Sequence, residues 1–402
     1  MPSIAERFEL EHCCGCGACV NACPVKAISY SKDKFGFIVP NVDLQKCVSC
    51  GKCVKVCPYQ NSNLSPEQFF PPIVYAAINN DAYIVKNSSS GGVFYALAKN
   101  VIEKKGIVFG AKMDDSFKVS HTYVEIVSDL QALQKSKYVQ SFLGDSYSKV
   151  KCFLKENRYV LFSGTPCQIA GLNSFLENRK YENLLTVEVV CHGVPNQDLF
   201  DDYRSNLELK VGKIKEYTFR YKMKSENGMK WYSSYITNKK RYVRNWPEDS
   251  YNYFYMKSFI YRDCCYSCKF ASAKRQADIT LCDYWHWNDL HGKDFCSKSS
   301  VSGIIVNSQK GLQFIDEISS NLKIMQSDFD YLASHNLSLV QPCGEKKGRR
   351  LLLEKWKEEG YATIDSEFKR KHWKQIFKYG ILRLLPDGVL SSTHKVKKWI
   401  SK

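Results

Sequence analysis

Two copies of one cysteine spacing constrain this chain more than any other feature. Cys13, Cys16, Cys19 and Cys23, followed by Pro24, give C-x2-C-x2-C-x3-C-P, and Cys47, Cys50, Cys53 and Cys57, followed by Pro58, repeat it. Three thiolates at this spacing can wrap one face of a four-iron cubane, while the fourth is carried by the following helix to the other cluster. Cys13, Cys16, Cys19 and Cys57 are therefore expected around one [4Fe–4S] cluster, and Cys47, Cys50, Cys53 and Cys23 around a second. Cys14 breaks the spacing and is read as a neighbour of the ligands. Gly15, Gly17 and Gly51 suit a backbone that bends closely around sulfide and offers it N–H groups. The bland alternative is structural zinc, but adjoining zinc sites rarely carry the C-x3-C-P ending.

The other cysteines are read in the same light. No apolar run reaches the roughly 18 residues of a spanning helix, and Met1 to Leu10 lacks the charged-then-apolar layout of a signal peptide. The expected location is the cytoplasm, where eighteen clustered cysteines point to metal thiolates instead of disulfides. The formal charge of 58 − 41 = +17 admits nucleic acid, an anionic membrane surface or acidic proteins as partners. No nucleic-acid-binding motif accompanies it.

At 402 residues the chain exceeds one small core. The expected fold class is a multi-domain α+β and α/β protein: a bacterial ferredoxin-like unit, an α/β domain and a mixed α+β C-terminal half. Residues 1–64 form the first unit, closed by the Asn-, Ser- and Pro-rich segment Asn61 to Pro72. Residues 73–180 alternate short β-rich runs such as IVYAAI, GIVFGA and YVLFSG with helix-like stretches. Residues 181–344 bring strand-like YTFRYKM and WYSSYIT and a second cysteine set. Residues 345–402 are a basic helical tail with 16 Lys/Arg against 7 Asp/Glu. Its stretch Phe368 to Leu385 has an apolar stripe containing Trp373, Phe377 and Leu384-Leu385. Such a stripe packs on its own core more often than on a membrane surface.

Three loops carry polar groups ahead of helix-like runs. Asn87, Ser88, Ser89, Ser90, Gly91 and Gly92 can offer hydroxyls and amides to phosphate at a helix N-terminus, or serve only as an N-cap. Ser136, Lys137, Tyr138 and Gln140 form the second. Ser163, Gly164, Thr165, Pro166 and Gln168 form a tight strand-to-helix turn, a common support for cofactors in α/β folds. Cys265-x2-Cys268 is a third CxxC, and Cys167 and Cys191 each sit in a turn that can deliver one more thiolate. A third cubane, a zinc site using Cys282, and a CxxC without metal all satisfy that spacing. Cys152, Cys296 and Cys343 have no partner at ligand spacing.

In this order, SSSGGVFYALA, SKYVQS, LFSGTPCQIAGL, VCHGVP, CYSCKF and ADITLCDYW behind a two-cluster module resemble the coenzyme F420 hydrogenase/dehydrogenase beta-subunit family, over roughly residues 1–300. The resemblance implies an FAD site lined by the three loops. It also implies a third [4Fe–4S] cluster beside it, on Cys167, Cys191, Cys265 and Cys268. Cys282 and His286 stand where the family tends to have Gly.

A flavin paired with clusters converts between one- and two-electron chemistry. The expected function is electron transfer from an acidic ferredoxin or flavodoxin, through the clusters and FAD, to a two-electron acceptor. That acceptor is F420-like or another small molecule, including one of a glycan or polysaccharide pathway. A non-catalytic relay subunit for a separate enzyme is the alternative. His192 and Asp283 are the expected proton donors, although hydrogen-bonding its turn suits His192 as well, and capping a helix or orienting the flavin suits Asp283.

Overall fold

A computed structural model describes residues 10–61, 72–225, 228–292, 295 and 300–384. Cys296, Leu385 and most of the Asn61 to Pro72 segment lie outside the described residues. The strands are β1 (Ile28–Lys32), β2 (Ile38–Val42), β3 (Ile73–Asn79), β4 (Ile107–Met113), β5 (Val119–Val124), β6 (Val160–Gly164), β7 (Leu184–Val189), β8 (Ile214–Ser225), β9 (Gly228–Thr237), β10 (Arg241–Arg244), β11 (Ile279–Asp283), β12 (Ser302–Val306) and β13 (Leu322–Ser327).

Eight of them form one mixed sheet in the order β13-β3-β12-β11-β7-β6-β4-β5. Its centre, β11-β7-β6-β4, is parallel, and antiparallel strands finish both edges. Parallel strands need cover on both faces, so their sequences read as apolar runs. Ile107, Phe109, Val160, Phe162 and Leu184 face one core, while Val108, Leu161, Leu185 and Val187 face the other, the two-residue alternation of a strand. The sheet takes strands from both sides of residue 180, so the expected division at 180/181 falls inside it, between β6 and β7.

The helices Val93–Glu103 and Gln309–Ile318 cover one face. Ser146–Lys155 and Pro166–Phe175 cover the other, where the N-terminal unit packs. That unit holds the β1–β2 hairpin and the short helices Ala18–Ala22 and Lys52–Lys55. Gly171 sets the approach of the helix Pro166–Phe175, because a Cβ there would lie 3.0 Å from Cys16 Sγ. Asn21 Nδ2 and Tyr30 OH donate to the Gly144 carbonyl at 2.8 and 2.9 Å, and Lys269 Nζ donates to that of Tyr59 at 2.8 Å.

A three-stranded antiparallel sheet, β10-β9-β8, builds a second core rich in aromatic side chains, including Phe200, Tyr217, Phe219, Tyr235 and Tyr251. The basic tail joins this core. Its helices Arg349–Glu359 and Tyr361–Leu384 bury Leu353, Trp356, Tyr361, Ile364 and Phe368 there. Trp373 and Phe377 remain exposed, after a break in helical geometry at His372. No helix among the described residues is long and apolar enough to cross a membrane.

Candidate functional site

The first thiol set forms where the backbone turns sharply. Gly15 and Gly17 take left-handed φ values of 65° and 72°, which a side chain would disfavour. Cys13, Cys16, Cys19 and Cys57 then line one cavity, although Cys57 comes from the second run. Burial pushes the Cys19 thiol well up, and Cys13, Cys57 and Cys53 add to it. Such crowding of ionisable sulfur suits a cation that takes up the thiolates as it binds. In the second set Cys53 is buried, Cys23 and Cys47 half-buried and Cys50 exposed. The Cys23 turn abuts the Cys47 turn: Asp43 N–H donates to Ala27 O at 2.8 Å and Cys47 N–H to Asp43 O at 3.0 Å.

The third set gathers at the sheet. Cys167 opens the helix after β6, Cys191 follows β7, and Cys265 and Cys268 lie in or just after the 3-10 turn Asp263–Ser267. Burial, then Cys265, Cys167 and Cys268, push the Cys191 thiol up, and burial with Cys167 and Cys265 pushes Cys268 up to about 12. The four thiols thus lie within one another's electrostatic reach. Cys14, no ligand by its spacing, bridges the sets through its interactions with Cys16 and Cys167. Cys264 is paired with Cys265, and Cys343, without a sequence partner, has its Sγ 4.0 Å from the Cys265 carbonyl. Cys282 instead points its thiol at the Gly303 carbonyl, 3.7 Å away in β12. Among the described residues no three His, Cys, Asp or Glu converge as on a single metal ion. Cubane ligands stand further apart, because each binds a different iron.

Arg262 ties the sets together. It is 3% exposed, and its Nη1 donates to Gln140 Oε1 at 3.2 Å, its Nη2 to the Ile38 carbonyl, while Nε has no hydrogen-bond partner among the described residues. Burial disfavours the guanidinium charge, and Cys13, Cys264, Cys14 and Cys265 more than compensate. A buried cation with an orphaned donor amid thiols fits thiolate-bound clusters as its counter-charge. Gln140 also donates to the Cys14 carbonyl at 3.1 Å.

Beside the third set a cavity of about 300 Å³ opens at the carboxyl ends of the parallel strands, the usual ligand crevice of such sheets. Cys14, Cys167 and Cys191 line it together with all three polar loops: Ser88, Ser89, Ser90 and Gly92; Ser136, Lys137, Tyr138 and Gln140; Ser163, Gly164, Thr165 and Gln168. Three expected residues lie outside its lining. Asn87 Nδ2 donates to Tyr83 O at 3.1 Å, Gly91 N–H to Ser302 Oγ at 2.8 Å, and Pro166 is buried in the first helical turn. Gln168 holds that turn by accepting from Thr165 N–H at 2.9 Å.

Basic side chains gather on one side of the cavity, where Lys135, Lys137 and Arg220 line it and Lys222 stands behind the serine loop. Burial, then Lys135, lowers Lys137 to about 7, with its Nζ donating to Gln134 O at 2.6 Å and Ala132 O at 3.2 Å. Burial, then Arg220, lowers Lys222 to about 7. Burial also lowers His121 to about 4, so it is neutral at pH 7. Its Nε2 lies 3.0 Å from the Ser163 carbonyl, which can only accept, so Nδ1 accepts from Ser141 Oγ at 2.6 Å.

Asp283 lines the cavity in an ion pair with Arg220, Nη1 to Oδ2 2.7 Å, and both side chains are largely buried. His192 is exposed, outside the cavity lining, with Nδ1 3.4 Å from Ser338 Oγ. Sequence reasoning missed the contribution of β8 and β9. Lys222 Nζ donates to Ser90 O at 2.6 Å and Val85 O at 2.8 Å, and Trp231 Nε1 to Ser89 O at 3.1 Å, clamping the serine loop. The available signal was Arg220 and Lys222 two apart in YTFRYKM, which places both on one strand face.

Comparisons with known proteins follow these two regions. Residues 12–61 match the 4Fe-4S dicluster domain, and residues 157–330 match the C terminus of the coenzyme F420 hydrogenase/dehydrogenase beta subunit. No curated protein matches the chain. Among solved structures, a chain of the F420-reducing [NiFe] hydrogenase complex from Methanosarcina barkeri is similar with a TM-score of 0.44 and 13% identity, over 78% of this chain and 92% of that one. The two family matches thus place a 4Fe-4S dicluster domain ahead of a region similar to the C terminus of the coenzyme F420 hydrogenase/dehydrogenase beta subunit, and mark the chain as an iron–sulfur electron-transfer protein.

Proposed function

We propose that the chain is an iron–sulfur flavoprotein oxidoreductase. It would take electrons from a reduced acidic carrier protein, lead them through three clusters, and deliver them in the cavity to a two-electron acceptor. One observation carries this reading: Cys167 and Cys191 of the third thiol set line the same cavity as the three polar loops. A flavin bound there would exchange single electrons with a cluster and electron pairs with an organic substrate.

The residues present fit such a group. Val187, Val189 and Leu281 give the cavity apolar walls, and hydroxyls and amides converge at its edges. The Ser88–Ser90 loop, Ser136 and the Lys137 ammonium would hold the anionic part of FAD, while Gln168 and Thr165 keep their turn rigid next to Cys167. Arg220 and Asp283, fixed by their ion pair, would orient the polar edge of the acceptor, an F420-like molecule or a glycan-pathway compound. The Asp283 carboxylate, held by Arg220, favours orientation over proton donation. His192, exposed next to Cys191 in the chain, would exchange protons with solvent.

The order of electron transfer follows burial. The second set reaches the surface at Cys50, the first is buried against the sheet, and the third borders the cavity. Cys167→Ser and Cys191→Ser test this reading. Each variant should keep flavin by extraction and chromatography, yet lose most substrate-dependent reoxidation of the dithionite-reduced protein. Unchanged reoxidation, or wild-type protein without flavin, would defeat it and leave a relay subunit.

A further inference from the structure

We propose that the surface around the outermost thiol set is the docking site for the electron donor, a small acidic iron–sulfur protein. The inference rests on the electron path above and adds where that path begins. The Cys23–Ala27 and Asp43–Cys47 turns are joined backbone to backbone, and the second leads directly to exposed Cys50. On this continuous surface Val25, Leu44 and Val48 are 42%, 68% and 61% exposed. Three large apolar side chains in solvent beside a redox centre are the mark of an interface centre, not of a folded core.

Charge names the partner. Segments 23–27 and 43–57 hold Lys26, Lys46, Lys52 and Lys55 against Asp43 alone. All four lysines are exposed. Among the described residues their one ion pair, Lys46 to Asp43 at 3.2 Å, is open to solvent and costs little to break. An apolar centre with a lysine rim complements an acidic carrier with an apolar patch over its own cluster. The rim steers the encounter, and the apolar centre brings Cys50 and Cys47 to the contact. No bond is made or broken: one electron leaves the reduced donor cluster and enters the cluster held by Cys23, Cys47, Cys50 and Cys53.

The test is the stopped-flow rate of cluster reduction in the anaerobic, cluster-loaded full chain, with a purified acidic [4Fe–4S] ferredoxin as donor. Dithionite, which needs no docking surface, is the reference reductant. Lys46→Glu/Lys52→Glu should lower the ferredoxin rate about tenfold at low salt, converging on wild type at high salt as screening removes the steering. Leu44→Ser/Val48→Ser should lower it at all salt concentrations. Both variants should keep the wild-type iron content and dithionite rate. Lys239→Glu/Lys240→Glu, in the turn between β9 and β10, should keep both rates. The docking site is overturned by a ferredoxin rate that neither first variant changes, by an equal loss in the Lys239/Lys240 variant, or by wild-type protein that accepts electrons from dithionite but not from ferredoxin. Flavin content does not enter these outcomes, so the docking site and the catalytic reading fail separately.

Discussion

Glu188 on β7 is fully buried and faces Arg275 across 2.5 Å, with Thr280 Oγ1 and Gln276 N–H also donating to it at 2.9 and 3.2 Å. The chain between Cys268 and β11 is anchored here to the strand that leads into Cys191. Removing one partner of a buried pair strands the other charge in low dielectric, at a cost of about 3–5 kcal/mol. Glu188→Ala should therefore lower the chemical-denaturation midpoint severely. Arg262 gives a second prediction. Replacing this buried cation with Gln should lower the midpoint potential of the nearest cluster on the order of 60 mV, the one-electron equivalent of about 1.4 kcal/mol. An EPR-monitored titration reads the shift, and an unchanged potential would make Arg262 purely structural. At this scale the N-terminal thiols were legible because their spacing is local. Arg262, Glu188 and Arg275 were not, since their partners lie far away in sequence and only packing unites them.

β8 reaches the cavity through Arg220, and its Lys222 crosses to the serine loop. Lys222→Met leaves the Val85 and Ser90 carbonyls without this donor, a cost of about 1–3 kcal/mol. It should lower the melting temperature and speed flavin loss on gel filtration. Lys137 gives the pH dependence. Its pKa in the folded chain, about 7, lies below that of an unfolded lysine. The unfolded state therefore binds more protons above pH 7, and this residue's contribution makes stability rise with pH over that range. The urea midpoint of Lys137→Met should accordingly gain less than wild type between pH 6.5 and 8.5. The buried strands were legible as apolar runs, GIVFGA and YVLFSG among them, because strands covered on both faces cannot alternate. Their order was not, since β3 pairs with β12 and β13, more than 200 residues later in the chain. The serine loop reads as an N-cap or a phosphate loop until β8 and β9 are seen to hold it.

For the whole molecule, a small unit with two thiol sets packs on one face of a large mixed sheet, with a third set and a cavity at the carboxyl ends of its parallel strands. The described part of the basic tail folds onto the aromatic core as far as Phe368, and the turns near Cys50 present four exposed lysines of their own. The spacing of the N-terminal cysteines made the small unit legible, whereas the gathering of the third set at the sheet and the bridging place of Cys14 depend on the docking of two units. The central claim is that the three thiol sets hold clusters leading to a flavin, and anaerobic purification with iron, sulfide, zinc and flavin quantified per chain tests it most directly. The account predicts about twelve iron and twelve sulfide with one FAD, four iron for each cubane. About eight iron with zinc present and no flavin would contradict it.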